Sequence, residues 1–153
     1  MGVALLGPLR IDGAGTLRPR ERVVLSVLAV RRRETVSPDQ IAEALWGDEP
    51  PSTWPKQVQM CVARLRRVLG PAMIETTASG YRLMLGGDDL DLHRFEQLVD
   101  RGRVLAATGE PDRAVATFAR ALSLWTGRPL PDLDGWLPGL VEVNRLDELR
   151  RAT

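Results

Sequence analysis

The chain is poor in the residues from which most metal sites and hydrolytic centres are built. It has one cysteine, Cys61, and one histidine, His93, in 153 residues. A single cysteine excludes an intrachain disulfide and a cysteine-based metal cluster. His93 stands at a helix start with no second histidine or cysteine near it, so it makes no zinc set, and no defensible Ser-His-Asp or Cys-His arrangement can be assembled. No apolar run approaches the ~18 residues of a membrane span. Residues 1–7 lack the length and basic start of a secretory signal, so a cytoplasmic location is expected. The glycine-rich stretch 2–15 contains no GxxxxGK[ST] phosphate loop. These absences together predict a protein that is not an enzyme, needs no cofactor or metal, and has no membrane partner.

Lysine is nearly absent too: Lys56 stands alone beside 20 arginines. The net charge of +1 hides an asymmetry. Residues 1–86 carry 12 basic and 8 acidic side chains, whereas residues 87–153 carry 9 basic and 12 acidic. An anionic partner is therefore expected for the first half and not the second.

The cluster Gly86-Gly87-Asp88-Asp89 is the natural boundary, where the hydrophobic period changes. Before it the pattern is mixed α/β. Residues 3–6 and 9–11 read as short strands, Asp12 to Gly15 as a turn, and Thr16 to Arg18 as a possible returning strand. Pro19 suits a first helical turn, and a helix over 20–32 follows with Val23, Val24, Val27, Leu28 and Val30 as its core face. Ser37-Pro38-Asp39-Gln40 is a helix start with a capping box, leading into Ile41, Ala42, Leu45 and Trp46 and stopping at Gly47. After the acidic, proline-stiffened loop, Ser52 or Thr53 is expected to cap a further helix, which Gly70-Pro71 ends. Residues 71–82 then read as a short hairpin closed by Ser79 and Gly80. Beyond the boundary, helices are expected over 92–107, 111–125 and 137–151. Ala114, Phe118 and Ala121 have the spacing of a tetratricopeptide-like helix pair, of which one unit is visible.

The helix over 53–69 carries the most chemistry. At about 100° per residue, Val58, Val62, Leu65 and Leu69 share one stripe, with Cys61 and Val68 beside it. Lys56, Met60, Ala63, Arg64 and Arg67 fall opposite, with Gln57, Gln59 and Arg66 on the flanks. Arginine forks to guanine, glutamine pairs with adenine, and flanking cations take phosphates, so this face suits a major groove. The alternative is a solvated basic surface helix.

The order of elements is specific. Ser37-Pro38-x-x-Ile41-Ala42-x-x-Leu45-Trp46, then Val58-x3-Val62-x-Arg64-Leu65-Arg66-Arg67-x-Leu69-Gly70, then Gly80-Tyr81-Arg82-Leu83, resembles an OmpR-type winged-helix domain over residues 1–86. Asp91-Leu92-x-x-Phe95-x-x-Leu98-Val99, with the helix pair and Leu124-Trp125-x-Gly127, resembles the start of a bacterial transcriptional activator domain over 87–153. Together they resemble the Streptomyces antibiotic regulatory protein (SARP) family. The resemblance implies an α+β winged helix-turn-helix with a small N-terminal antiparallel sheet and a C-terminal wing hairpin, followed by an all-α tetratricopeptide-like domain that looks truncated. It implies a transcriptional activator that binds promoter direct repeats on double-stranded DNA, with a second copy head to tail. Helix 53–69 would read the major groove and the wing, 73–85, would touch the minor groove. Carried over by position, Arg64 is a base or central groove contact, Lys56, Gln59, Met60 and Ala63 line the groove face, and Arg66 and Arg67 take phosphates. Thr76 matches a backbone-contact position in the wing, and Arg82 reaches for a phosphate. Ala78 stands where the class often has a wing arginine. The loop from Trp46 to Ser52, with acidic Asp48 and Glu49, matches the turn that faces RNA polymerase and its sigma subunit; it also reads as a stiff, solvated connector.

Other residues read as structural. Cys61 at the edge of the stripe is a small buried hydrophobe. Trp46, Trp125 and Trp136 are packing anchors, and Tyr81 packs under the hairpin. Arg31 to Arg33 are a phosphate patch or a solvated helix end. Two further functions fit the same residues: a protein-interaction scaffold, and the DNA-binding front end of a larger ATPase-linked sensor regulator.

Overall fold

The computed structural model describes residues 2–13, 16–31, 33–85 and 89–153. In chain order its main elements are β1 (Val3–Ala4), β2 (Arg10–Ile11), α1 (Pro19–Arg31), α2 (Pro38–Trp46), α3 (Trp54–Leu69), β3 (Ile74–Thr77), β4 (Gly80–Leu83), α4 (Asp91–Ala107), α5 (Pro111–Leu122) and α6 (Leu137–Ala152). They fall into two compact units, each built from separated stretches: 13–85 with 132–142, and 2–12 with 86–131 and 143–153. Residues 2–12 thus cluster with the helical unit, whereas the sequence groups them with the winged helix. Of the expected boundary cluster, Gly86 to Asp88 lie outside the described residues, as do Ala14, Gly15 and Arg32 of the expected turn and first helix.

In the first unit α1 is the central element. Its buried residues are Glu21 and the run Val24 to Ala29, while Val23 and Val30 are half-buried. The narrow face read from the sequence is therefore corrected. α1 packs against α2, α3 and β4 together, so it is covered on several sides and a one-sided stripe does not describe it. Buried Ser26 is satisfied by donating to the Arg22 carbonyl at 2.7 Å.

α2 begins as its sequence dictates. The Gln40 amide donates to Ser37 Oγ at 3.2 Å, and the Ser37 amide donates to Gln40 Oε1 at 3.1 Å, closing a reciprocal cap. α2 ends at Gly47, in the left-handed region with φ 64°. α3 follows with Thr53 at its N-cap position, but the Thr53 hydroxyl caps no backbone amide. It accepts instead from Gln57 Nε2 at 2.8 Å.

β3 and β4 pair antiparallel in the register Ile74↔Leu83 to Thr77↔Gly80, and the Met84 amide extends the ladder to the Met73 carbonyl at 2.7 Å. The tight turn is Ala78-Ser79, so Gly80 opens β4 and does not close the turn. Its role is close approach: Tyr81 and Val36 exchange two backbone hydrogen bonds, of 2.7 and 2.9 Å. A Cβ on Gly80 would lie 2.0 Å from the Val36 carbonyl oxygen. The hairpin is in this way stitched to the α1–α2 connection.

In the second unit β1 and β2 form a two-stranded antiparallel pair, Val3↔Ile11 and Ala4↔Arg10. The strands are shorter than the apolar runs suggest, and residues 16–18 form no strand. β1 gains a parallel bridge from Val3 to Leu90. The Asp91 carboxylate then accepts from the amides of Leu5 and Leu6 at 2.8 and 2.9 Å. α4 and α5 form the expected helix pair. Gly102 allows it, since a Cβ there would sit 2.4 Å from the Phe118 ring, and Ala114 and Ala121 are buried between the helices. α5 ends at Leu122, not Trp125. Trp125 turns inward, its ring edge-on to Phe95 at 5.3 Å, which bears out its reading as a packing anchor. No helix among the described residues is long and apolar enough to cross a membrane.

Candidate nucleic-acid interface

α3 buries Val58, Cys61, Val62, Leu65 and Leu69, the stripe its sequence predicts. The opposite face leaves Lys56, Gln59, Met60, Ala63 and Arg67 exposed. None of the residues of α3 is acidic. Exposing a methionine to 45% on a well-packed helix leaves apolar area uncovered beside two cations, which matches a groove that offers both thymine methyl groups and phosphates.

The remaining candidates are held by the protein itself. Arg64 is half-buried at the edge of the face, and its Nη1 lies 3.5 Å from the Glu21 carboxylate of α1. Arg66 reaches into the hairpin. Its Nε and Nη2 donate to the Ile74 carbonyl at 3.0 and 2.8 Å, and Nη2 donates to Thr76 Oγ1 at 2.7 Å. Its guanidinium also lies 5.9 Å from the centre of the Tyr81 ring. Arg66 and Thr76, two candidates ten positions apart in the chain's course from helix to wing, are thus bonded to one another. Arg82 pairs across the hairpin with Glu75 at 2.7 Å. Asp48 and Glu49 are exposed on the loop after Gly47.

Two features are not legible in the local pattern. Glu21 is 5% exposed; an acid in a first helical turn reads as a partner for the helix dipole. Its spacing to Val24, Leu25 and Leu28 was the available sign that it faces inward. Gln57 is held from both sides, accepting from Arg20 Nη1 at 2.5 Å while donating to Thr53. Arg20 also lies over the Trp46 ring at 5.5 Å, so the start of α1 is braced against both α2 and α3. A cavity of about 310 Å³ opens here, between the first turn of α1 and the Met60–Arg64 side of α3. Cys61 lines it. Burial pushes the Cys61 thiol up, and the nearby Glu21 carboxylate adds to this, against Arg20 and Arg64. It is therefore a protonated core side chain at neutral pH, not a thiolate. Arg31 stacks on Trp136 at 5.7 Å, and Arg33 is exposed with φ 41°. Among the described residues no group of three His, Cys, Asp or Glu side chains is placed to hold a metal ion.

Known proteins match this arrangement in both halves. Residues 12–83 match the family of transcriptional regulatory protein C-terminal domains, the OmpR type. Residues 90–153 match the bacterial transcriptional activator domain. With these two domains in this order, the chain is consistent with the SARP family. Regulatory protein DnrI of Streptomyces peucetius is 32% identical over 98% of this chain and 61% of its own length. Regulatory protein AfsR of Streptomyces coelicolor is 34% identical over 86% of this chain and 14% of its own. A structure of Mycobacterium tuberculosis EmbR in complex with a low affinity phosphopeptide superposes with a TM-score of 0.90 and 30% identity, covering 99% of this chain and 42% of that one. The chain thus spans less than two thirds of each of these relatives. The fold expected from its sequence, a winged helix with a hairpin wing followed by a tetratricopeptide-like helical domain, is the fold found. The proteins it resembles are transcriptional regulators, not enzymes.

Proposed function

We propose that the chain is a sequence-specific DNA-binding transcriptional regulator, an activator, working in the cytoplasm at promoter direct repeats. The observation that carries this is the exposed, acid-free face of α3, with the β3–β4 hairpin fastened beside it. α3 enters the major groove with Arg64 as its base or central groove contact and with Lys56, Gln59, Met60 and Ala63 lining the groove face. Arg67 takes a phosphate, and the hairpin lies along the adjacent minor groove. Arg66, Thr76 and Arg82 act on the duplex backbone. A second copy sits head to tail on the neighbouring repeat. The exposed acids Asp48 and Glu49 face outward for basic residues of RNA polymerase or sigma. By its sequence the chain divides into a DNA-binding domain, 1–86, and an activator domain, 87–153, and it would serve equally as the front end of a longer regulator.

Salt dependence tests the electrostatic part. On a duplex selected by the protein from a randomised pool, affinity falls with salt with a log–log slope of roughly −0.9 per phosphate neutralised. Affinity for a random duplex falls with a similar slope but from a lower starting point. Equal affinity for selected and random duplex at moderate salt rejects sequence-specific recognition and favours the scaffold reading.

A further inference from the structure

We propose that Glu21 is a specificity-determining positioning residue, acting from α1 on the arginine that reads a base from α3. The proposal rests on the DNA-reading role given above to Arg64. An arginine side chain on a helix surface samples many rotamers, and freezing it on a base costs entropy unless the protein has already fixed it. Arg64 is fixed. Its partner is a carboxylate 5% exposed on the central helix of the unit, close to Nη1, and breaking a pair at so buried a site is costly. The pair is asymmetric: the Glu21 side chain is 7% exposed and that of Arg64 35%. Glu21 therefore holds one end of the guanidinium inside, while the rest opens toward the cavity and the groove face. A guanidinium has five N–H donors, and a single carboxylate oxygen leaves enough of them for a fork to guanine O6 and N7. Arg20, which also lines the cavity, is committed to Gln57 and the Trp46 ring, so it does not compete for Glu21.

The test compares affinity for a selected duplex with affinity for a random duplex, for the wild-type chain and the variants Arg64→Ala, Glu21→Gln and their combination. Selectivity is a ratio within one protein sample, so an unfolded fraction cancels from it. Arg64→Ala is expected to lower selectivity by roughly ten- to a hundredfold. Glu21→Gln is expected to lower it by about tenfold while leaving random-duplex affinity unchanged or higher. The double variant is expected to lose no more than Arg64→Ala alone, since both changes remove one interaction. Should Glu21→Gln fold poorly, Glu21→Asp keeps the charge, withdraws the carboxylate by one methylene, and is expected to lose selectivity in part. A wild-type chain without selectivity, or an Arg64→Ala variant that keeps it, overturns the reading of α3 itself. Normal selectivity in both Glu21 variants, or losses that simply add in the double variant, overturns the positioning role alone.

Discussion

At Gly80 the hairpin backbone passes so close to Val36 that no side chain fits between them. The atom a Cβ would meet is a backbone carbonyl oxygen at 2.0 Å, itself bonded to the Tyr81 amide, so neither partner can turn aside. Gly80→Ala is expected to destabilise the first unit by about 1–3 kcal/mol, seen as a lower denaturation midpoint. Gly135→Ala in the same unit is the control. Nothing lies within 4 Å of its Cβ position, and its effect should stay within roughly 0.5 kcal/mol. Equal midpoints for the two variants would show that the close approach at Gly80 is relaxed at no cost. The sequence marks Gly80 as a glycine beside a turn, which is true but incomplete. What requires glycine is a neighbour 44 positions away, and local pattern carries no trace of it. Cys61 shows the opposite case: its place on an apolar stripe is enough to read it as buried, and it is 4% exposed.

Among the elements, α2 and α3 were legible because their signals are local. Ser37, Pro38 and Gln40 lie within one turn, and the apolar period of α3 selects its buried face. The tie between α3 and the wing is not local. Arg66 reads as a free cation on a helix flank, yet it bonds the Ile74 carbonyl twice and Thr76 once. A fork of this kind fixes the hairpin's angle to the helix more than it fixes the helix itself. Arg66→Ala is therefore expected to speed amide exchange in β3 and β4 while leaving α1 protected, with an overall cost of about 1–2 kcal/mol. Affinity for selected and random duplex should fall alike, because a loosened wing and a lost cation both act on the duplex backbone. Arg66→Lys restores the charge but not the planar fork, so it should recover only part of the protection. Unchanged exchange in the hairpin of Arg66→Ala would reject the tie.

At the scale of the whole chain, the least legible feature is that its first residues belong with its second half. β1 reads as an N-terminal strand of the winged helix, but its bridge runs to Leu90, and the next two amides end on Asp91, 86 and 85 positions on. Asp91 is also the first residue of α4, so one carboxylate joins the start of the chain to the start of the helical unit. Burial pushes its carboxyl above the ordinary range, against the pull of the Leu5, Leu6 and Leu92 amides and of Arg10. The sign of the pH effect follows. A group whose folded pKa is raised binds its proton more tightly in the folded state, so its contribution is greatest in acid. That contribution declines as pH rises from about 4 through the folded value. Asp91→Asn has no titration there, and it offers one acceptor oxygen where two amides need partners. The variant should be less stable by about 1–3 kcal/mol in acid, with exchange in residues 3–6 rising first. Its deficit relative to wild type should then shrink as pH is raised toward neutrality. A deficit that grows with pH would mean that the two amide hydrogen bonds outweigh burial, and that the carboxylate is the form the fold prefers.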